Sequence, residues 1–366
     1  MKKNSVEKKN LLFFFSTSRI GGTETNFLRL ATDLSTLGFK VHVLVVEDNG
    51  PLLSKFDSFA FDIEIINIKS LSSLINNIFK FRNFIIKNKI NVVFNCGLKV
   101  EIFSRLFSKL FGIDIVISNI RSTDDWRRFY HTLLDRITHF GVDLWVSNSL
   151  AGVNAFHRRE KINLSKTKVI YNYIDDFDFD SNSYINIESK KFLNIGILSN
   201  IKFGKGFEDL ILICENLKLN GITSFSFIIA GVDFSNGNIS DYLKKSIYAK
   251  HFNFIGFVSD KEAFFNEIDI FLLPTYWEGF PTSILESMYF GTPVISTLVG
   301  GIPEMIKNRF NGILLDPGDT VNISKAIFEL SKSNELYNMF RVNSYNLLKN
   351  KFTKEAVLNL WLQILE

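Results

Sequence analysis

Two glutamates, Glu278 and Glu286, bracket the run Gly279-Phe280-Pro281-Thr282-Ser283-Ile284-Leu285, with Pro274 ahead of it and Gly291-Thr292-Pro293 behind. The apolar run 270–273 reads as a buried strand, Pro281 suits the first position of a helix, and Ile284 to Phe290 continues that helix until Gly291 stops it. The first turn of such a helix offers backbone N–H groups and the positive end of its dipole to an anion. Carboxylates beside an anion site repel phosphate, so Glu278 and Glu286 are suited to accept hydrogen bonds from sugar or ribose hydroxyls. A plainer reading is a capping box, Ser283-Ile284-Leu285-Glu286, in which the glutamate only satisfies a backbone donor. Lys205, in Phe203-Gly204-Lys205-Gly206-Phe207, falls between a strand and a helix, where its ammonium would reach a diphosphate; Lys202 stands just before it.

Three further groups invite the same question. Gly21-Gly22, between the first strand and a helix beginning near Thr23, permits close backbone approach to a ligand or makes a plain tight turn. It lacks the G-x-G-x-x-G spacing, which counts against a nicotinamide dehydrogenase. Arg121-Ser122 follows a strand ending near Asn119; Arg121 is placed to bind phosphate or to pair with Asp124 or Asp125. His131 and His139 fall in a helix-like segment and read as structural. No carboxylate pair has metal-site spacing, and Asp178-Phe179-Asp180 lies in a linker, so the expected metal set is none.

These residues need a frame. Apolar runs alternate with helix-length amphipathic segments, the pattern of an α/β chain with parallel sheets covered by helices. Strands are expected at 11–15, 41–46, 63–66, 92–95, 115–118, 144–147 and 169–171, then at 192–198, 225–230, 253–256, 270–273, 294–297 and 313–315. Between the two sets, the stretch Asp175 to Ser189 is rich in Asp, Asn and Ser and reads as a linker. Ligands of open parallel sheets bind beyond the carboxyl ends of the strands, where Gly21-Gly22, Arg121, Lys205 and Glu278 fall. Thr353 is a suitable N-cap for a last helix.

The stretch from Glu278 to Glu286 resembles the E-x7-E signature of retaining, nucleotide-sugar-dependent glycosyltransferases of family 4, whose fold is called GT-B. Gly21-Gly22-Thr23-Glu24, Tyr171-Asn172-Tyr173-Ile174-Asp175, Lys205-Gly206, Gly300-Gly301-Ile302-Pro303-Glu304 and Asn311-Gly312 extend the likeness along nearly the whole chain. The resemblance implies two Rossmann-like domains with sheets facing an interdomain cleft: 1–180 for the acceptor, 190–350 for the donor, and 351–366 as a helix crossing back to the first. It implies a metal-independent transfer of a hexose or N-acetylhexosamine from a nucleotide diphosphate sugar, UDP-linked, with no cofactor besides that substrate. Lys205, Glu278 and Arg121 would be catalytic; Gly21, Gly22, Lys202, Lys205, Phe280, Pro281, Thr282, Ser283 and Glu286 would bind the donor. Ile197 stands where the family commonly has Gly-Arg-Leu, which leaves Lys202 to replace an arginine with a point charge. The implied acceptor is a glycan or a polyprenyl-diphosphate-linked oligosaccharide of a bacterial surface polysaccharide. Two rivals remain: a nucleotide-sugar epimerase of the same shape, and a non-catalytic nucleotide- or nucleic-acid-binding protein.

Composition sets outer bounds. A chain of 366 residues, 46% hydrophobic and 22% charged, is long enough for two cores and typical of a soluble globular protein. Cys96 and Cys214 give neither a disulfide framework nor a metal cluster and are expected as buried thiols in a reducing cytosol. No run is long and apolar enough for a membrane span, and the apolar run 11–15 after Met1-Lys2-Lys3 suits a strand better than a signal peptide. Residues 1–180 hold 25 Lys and Arg against 19 Asp and Glu, hence +6, which leaves −2 for the remainder of the total +4. Lys80, Arg82, Lys87 and Lys89 along one helix, and Lys99, Arg105 and Lys109 among Phe103, Leu106, Phe107 and Phe111 along the next, would suit an anionic membrane surface, cytoplasmic and peripheral, or ordinary solvated faces. The aromatics recur at helical spacing and look like core, so no nucleic-acid partner is expected.

Overall fold

The structure is a computed structural model that describes residues 8–19, 21–46, 50, 62–65, 71–121, 128–175 and 184–366. The chain divides into two compact units, one of residues 1–170 with 361–366 and the other of residues 171–360.

The first unit is built on a parallel sheet of seven strands in the order β3-β2-β1-β4-β5-β6-β7. Its strands are β1 (Asn10–Phe15), β2 (Lys40–Val45), β3 (Asp62–Ile65), β4 (Val92–Cys96), β5 (Ile115–Ile120), β6 (Leu144–Ser147) and β7 (Thr167–Val169). Helices α1 (Gly22–Thr36), α2 (Leu71–Asn88), α3 (Leu98–Phe107), α4 (Phe129–Thr138) and α5 (Leu150–Glu160) alternate with them. Side chains of a strand alternate between faces, and β1 shows what its unbroken apolar run is for. Leu12 and Phe14 join a core with Phe81 and Phe103 on one face. Phe13 stacks on Phe94 at 4.5 Å on the other face and meets Phe27 of α1 edge-on.

The second unit carries a parallel sheet of six strands, β10-β9-β8-β11-β12-β13. They are β8 (Leu193–Leu198), β9 (Phe225–Ala230), β10 (Phe252–Gly256), β11 (Ile270–Leu273), β12 (Val294–Thr297) and β13 (Gly312–Leu315). The helices are α6 (Leu210–Leu219), α7 (Asn238–Lys244), α8 (Lys261–Glu267), α9 (Thr282–Tyr289), α10 (Ile302–Met305), α11 (Thr320–Ser331), α12 (Asn334–Lys351) and α13 (Lys354–Leu365). Here too β11 feeds both faces, Ile270 and Leu272 into one core and Phe271 and Leu273 into the other. Thr353 caps α13 as expected, its hydroxyl accepting from Ala356 N–H at 3.3 Å. Trp361, near the end of α13 and counted with the first unit, packs on Phe94 at 5.4 Å.

Two expectations need correction. The strand expected at 169–171 is β7, Thr167–Val169, because Tyr171 leaves the sheet and stacks on Phe280 at 5.0 Å. Arg105 does not sit on a solvated or membrane-facing stripe of α3. It is fully buried, paired with Asp135 and with Glu101 at 2.5 Å, bonded to Ser118 at 3.0 Å and stacked over Trp145. A buried guanidinium persists only with its donors satisfied by such partners, which sequence spacing does not reveal. The expected run 63–66 and the linker 175–189 fall partly, and Ser122, Asp124, Asp125, Asp178 and Asp180 wholly, outside the described residues. Among the described residues no helix is long and apolar enough to cross a membrane.

Candidate active site

Lys205 is placed by its two glycines. Gly204 and Gly206 have φ of 79° and 77°, a region where L side chains are strained. A Cβ on Gly204 would lie 1.8 Å from the Trp277 ring, and one on Gly206 would lie 2.0 Å from the Pro274 carbonyl oxygen. The loop after β8 can therefore lie flat against the loop after β11, and Tyr276 N–H donates to the Gly204 carbonyl at 2.9 Å. Lys205, only 7% exposed, then pairs with the carboxylate of Glu278 and donates to the Trp277 carbonyl at 3.4 Å. Lys202 is exposed and held below the ordinary lysine range, first by desolvation and then by the Lys205 ammonium, against the pull of Glu278. Two cations and one carboxylate thus share one end of the sheet.

The Glu278 loop is fixed on its other side as well. Gly301 N–H donates to the Gly279 carbonyl at 2.8 Å, and Asn172 Nδ2 donates to the Phe280 carbonyl at 3.1 Å. Phe280 is buried between Tyr171 and Phe352, so only its backbone is available to a ligand. Pro281 is the N-cap of α9 rather than its first helical residue. The ladder of α9 begins with Ile284 N–H donating to the Pro281 carbonyl at 3.2 Å, so the amides of Thr282 and Ser283 lie ahead of it, at the positive end of the helix. No side chain caps this helix, and Ser283 sits inside it, which removes the capping-box reading of Ser283 and Glu286. The Glu286 carboxylate is instead half-buried, 3.7 Å from Lys261 Nζ of α8.

Of the residues picked from sequence, Lys202, Lys205, Glu278, Phe280, Pro281, Thr282, Ser283 and Glu286 lie in the second unit at the carboxyl ends of β8 and β11. Gly21, Gly22 and Arg121 lie together in the first unit. Arg121 follows β5, lies 4.4 Å over the Phe27 ring and donates to Asn119 Oδ1 at 3.2 Å. Burial lowers its pKa to about 10, opposed by Cys96, Glu101 and Glu24. Gly21 caps α1, and the spot a Cβ there would occupy lies 2.6 Å from the Glu24 carboxylate. Burial raises the Glu24 pKa, against a bond from its own backbone amide and the charge of Arg121. The α1 terminus is therefore already faced by an internal carboxylate.

Sequence reasoning passed over several participants. Trp277 and Tyr276, 47% and 41% exposed, form an aromatic shelf beside Lys205, and Tyr276 donates to Asp209 at 3.0 Å. Their adjacency to Glu278 was the available signal. Tyr171 hydrogen-bonds Glu304, and burial followed by that carboxylate pushes its pKa up to about 12. Lys261 had no signal, being remote from Glu286 in the chain. Among the described residues no group of three or more His, Cys, Asp or Glu is arranged to hold a metal ion.

Residues 178–347 match the family described as Glycosyl transferases group 1. An uncharacterized 41.2 kDa protein in the cps region of Klebsiella pneumoniae is 25% identical over 324 residues, 81% of this chain and 84% of that one. The capsular polysaccharide biosynthesis glycosyltransferase CapM of Staphylococcus aureus is 28% identical over 195 residues, covering 50% of this chain and 49% of its own. Anabaena Alr3699/HepE in complex with UDP superimposes with a TM-score of 0.83 at 17% identity, covering 97% of this chain and 99% of that one. The same protein in complex with UDP-glucose gives 0.80.

Proposed function

We propose, from a chain whose residues 178–347 match the glycosyl transferases group 1 and whose fold is GT-B, that it transfers a hexose or N-acetylhexosamine from a UDP-sugar with retention of configuration. The acceptor is a glycan or lipid-linked oligosaccharide in the synthesis of a bacterial surface polysaccharide, a reading supported by the capsular relatives. One observation carries the donor site: Lys205 is buried against Glu278 and the Trp277 carbonyl at the end of the sheet that also presents the amino terminus of α9. When the bond between the anomeric carbon and the diphosphate breaks, negative charge grows on the departing phosphate. Lys205, Lys202 and the amides of Thr282 and Ser283 stabilise it, in the role a divalent ion plays elsewhere. Glu278 holds sugar hydroxyls and Glu286 the ribose. The acceptor hydroxyl attacks the face the diphosphate leaves and passes its proton to a phosphate oxygen. Arg121 and the Gly21-Gly22 turn serve acceptor or phosphate from the first unit.

The test is a panel of nucleotide sugars scored by thermal stabilisation and then by turnover. UDP-sugars should raise the melting point, and Lys205→Ala should lower turnover by about a hundredfold or more, the scale of losing one positioned charge donor. Unchanged turnover in that variant would remove the assignment. Conversion of labelled donor to another sugar without any acceptor would identify an epimerase instead.

A further inference from the structure

A lysine ammonium offers three N–H donors, and two of those on Lys205 are committed inside the protein, to Oε1 of Glu278 and to the Trp277 carbonyl at 3.4 Å. Both acceptors are fixed. Thr275 Oγ1 donates to the same Trp277 carbonyl at 3.0 Å, and the Glu278 carbonyl lies 1.8 Å from the spot a Cβ on Gly300 would occupy. The side chains of Lys205 and Glu278 are only 9% and 16% exposed, so their attraction is screened less than that of a surface pair. A phosphate that calls on Lys205 must therefore share it with a carboxylate.

The other oxygen of that carboxylate has a different use. Among the described residues nothing bonds Oε2 of Glu278, and a carboxylate accepts more hydrogen bonds than one lysine supplies. Hydroxyls of a donor sugar that bond there draw on its charge and weaken its hold on the ammonium. UDP alone brings a diphosphate and no such hydroxyl, so the carboxylate keeps Lys205 and repels the phosphates. Lys202 is drawn into the same balance: desolvation and then Lys205 lower its pKa, while Glu278 raises it. A site separates two ligands only by groups that interact differently with them, and Glu278 is such a group.

We propose that Glu278 is a competing counter-ion for Lys205, which yields the ammonium to the diphosphate while a sugar occupies its carboxylate and reclaims it once the sugar has been transferred. The exchange loosens UDP and speeds its release. This role rests on the donor reading above and adds to it a preference for the loaded nucleotide over the empty one. Dissociation constants for UDP, UDP-glucose, UDP-galactose and the two N-acetylhexosamine counterparts are measured by isothermal titration on the full chain, on Glu278→Gln, on Lys205→Ala and on the double variant. The native chain should hold its best UDP-sugar more tightly than UDP. Glu278→Gln should bind UDP about tenfold more tightly and lose that preference. In the Lys205→Ala background the same change should tighten UDP by no more than about twofold, because the contested ammonium is gone. A native chain that prefers UDP overturns the proposal whether or not Glu278→Gln folds. So does UDP binding in Glu278→Gln that is equal to or weaker than native, or a full tenfold gain without Lys205, which would reduce Glu278 to plain repulsion. A native chain that binds none of these nucleotides would overturn the donor reading itself, and the proposal with it.

Discussion

Glu24 and Lys261 show how a single side chain can matter through a neighbour. Burial raises the Glu24 pKa above that of an unfolded glutamate, so the native state binds its proton more tightly. The sign follows from linkage: the stability this group contributes is fully present below the ordinary glutamate range and is lost as pH rises through the raised value. Glu24→Gln should therefore gain in melting temperature relative to the native chain as pH climbs from mildly acidic to neutral, and melting curves across that window that stay parallel would refute this. Lys261 stands 3.7 Å from Glu286 with 33% of its side chain exposed, so the pair itself contributes little to stability. Lys261→Ala should leave the melting point within about 0.5 kcal/mol of stability and kcat unchanged. It should raise the KM for donor about threefold, with rescue by Lys261→Arg, because the cation orients the carboxylate proposed above to meet the ribose.

At the scale of elements, the glycine loop is the most demanding part. Gly206→Ala must place a methyl against the Pro274 carbonyl at a positive φ, and the two penalties act together. We expect a loss of about 3 kcal/mol or more in urea unfolding and an inactive protein, the scale reserved for forced backbone conformations. The strands were legible beforehand because parallel strands covered on both faces are nearly continuous apolar runs such as Leu11 to Phe15 and Ile270 to Leu273. Lys205, Glu278 and the α9 terminus were legible because glycine, proline and charge lie close together in sequence. What escaped notice was tertiary in origin. Tyr171 leaves β7 to stack on Phe280, Arg105 finds partners from α3, α4 and β5, and α4 shows its apolar side outward. None of these can be deduced from local periodicity, which reports that a helix has two faces but not which one is covered.

At the scale of the molecule, each unit has its own sheet and cores, and the sites read from sequence divide between them. The proposed donor groups belong to residues 171–360, so nucleotide binding is expected to stabilise that unit directly, and hydrogen exchange with UDP should slow around 199–206 and 275–286. Protection confined to the first unit would contradict the assignment. The two thiols supply an independent gauge. Cys96 is buried in the first unit with its pKa well above the usual value, and Cys214 in the second with its pKa pushed up to about 12, in both cases mainly by desolvation. Neither can be alkylated until the fold around it opens, so each half of the molecule carries one natural clock for its own breathing. With UDP at about a hundred times its Kd, the Cys214 clock should run about a hundredfold slower while that of Cys96 keeps time.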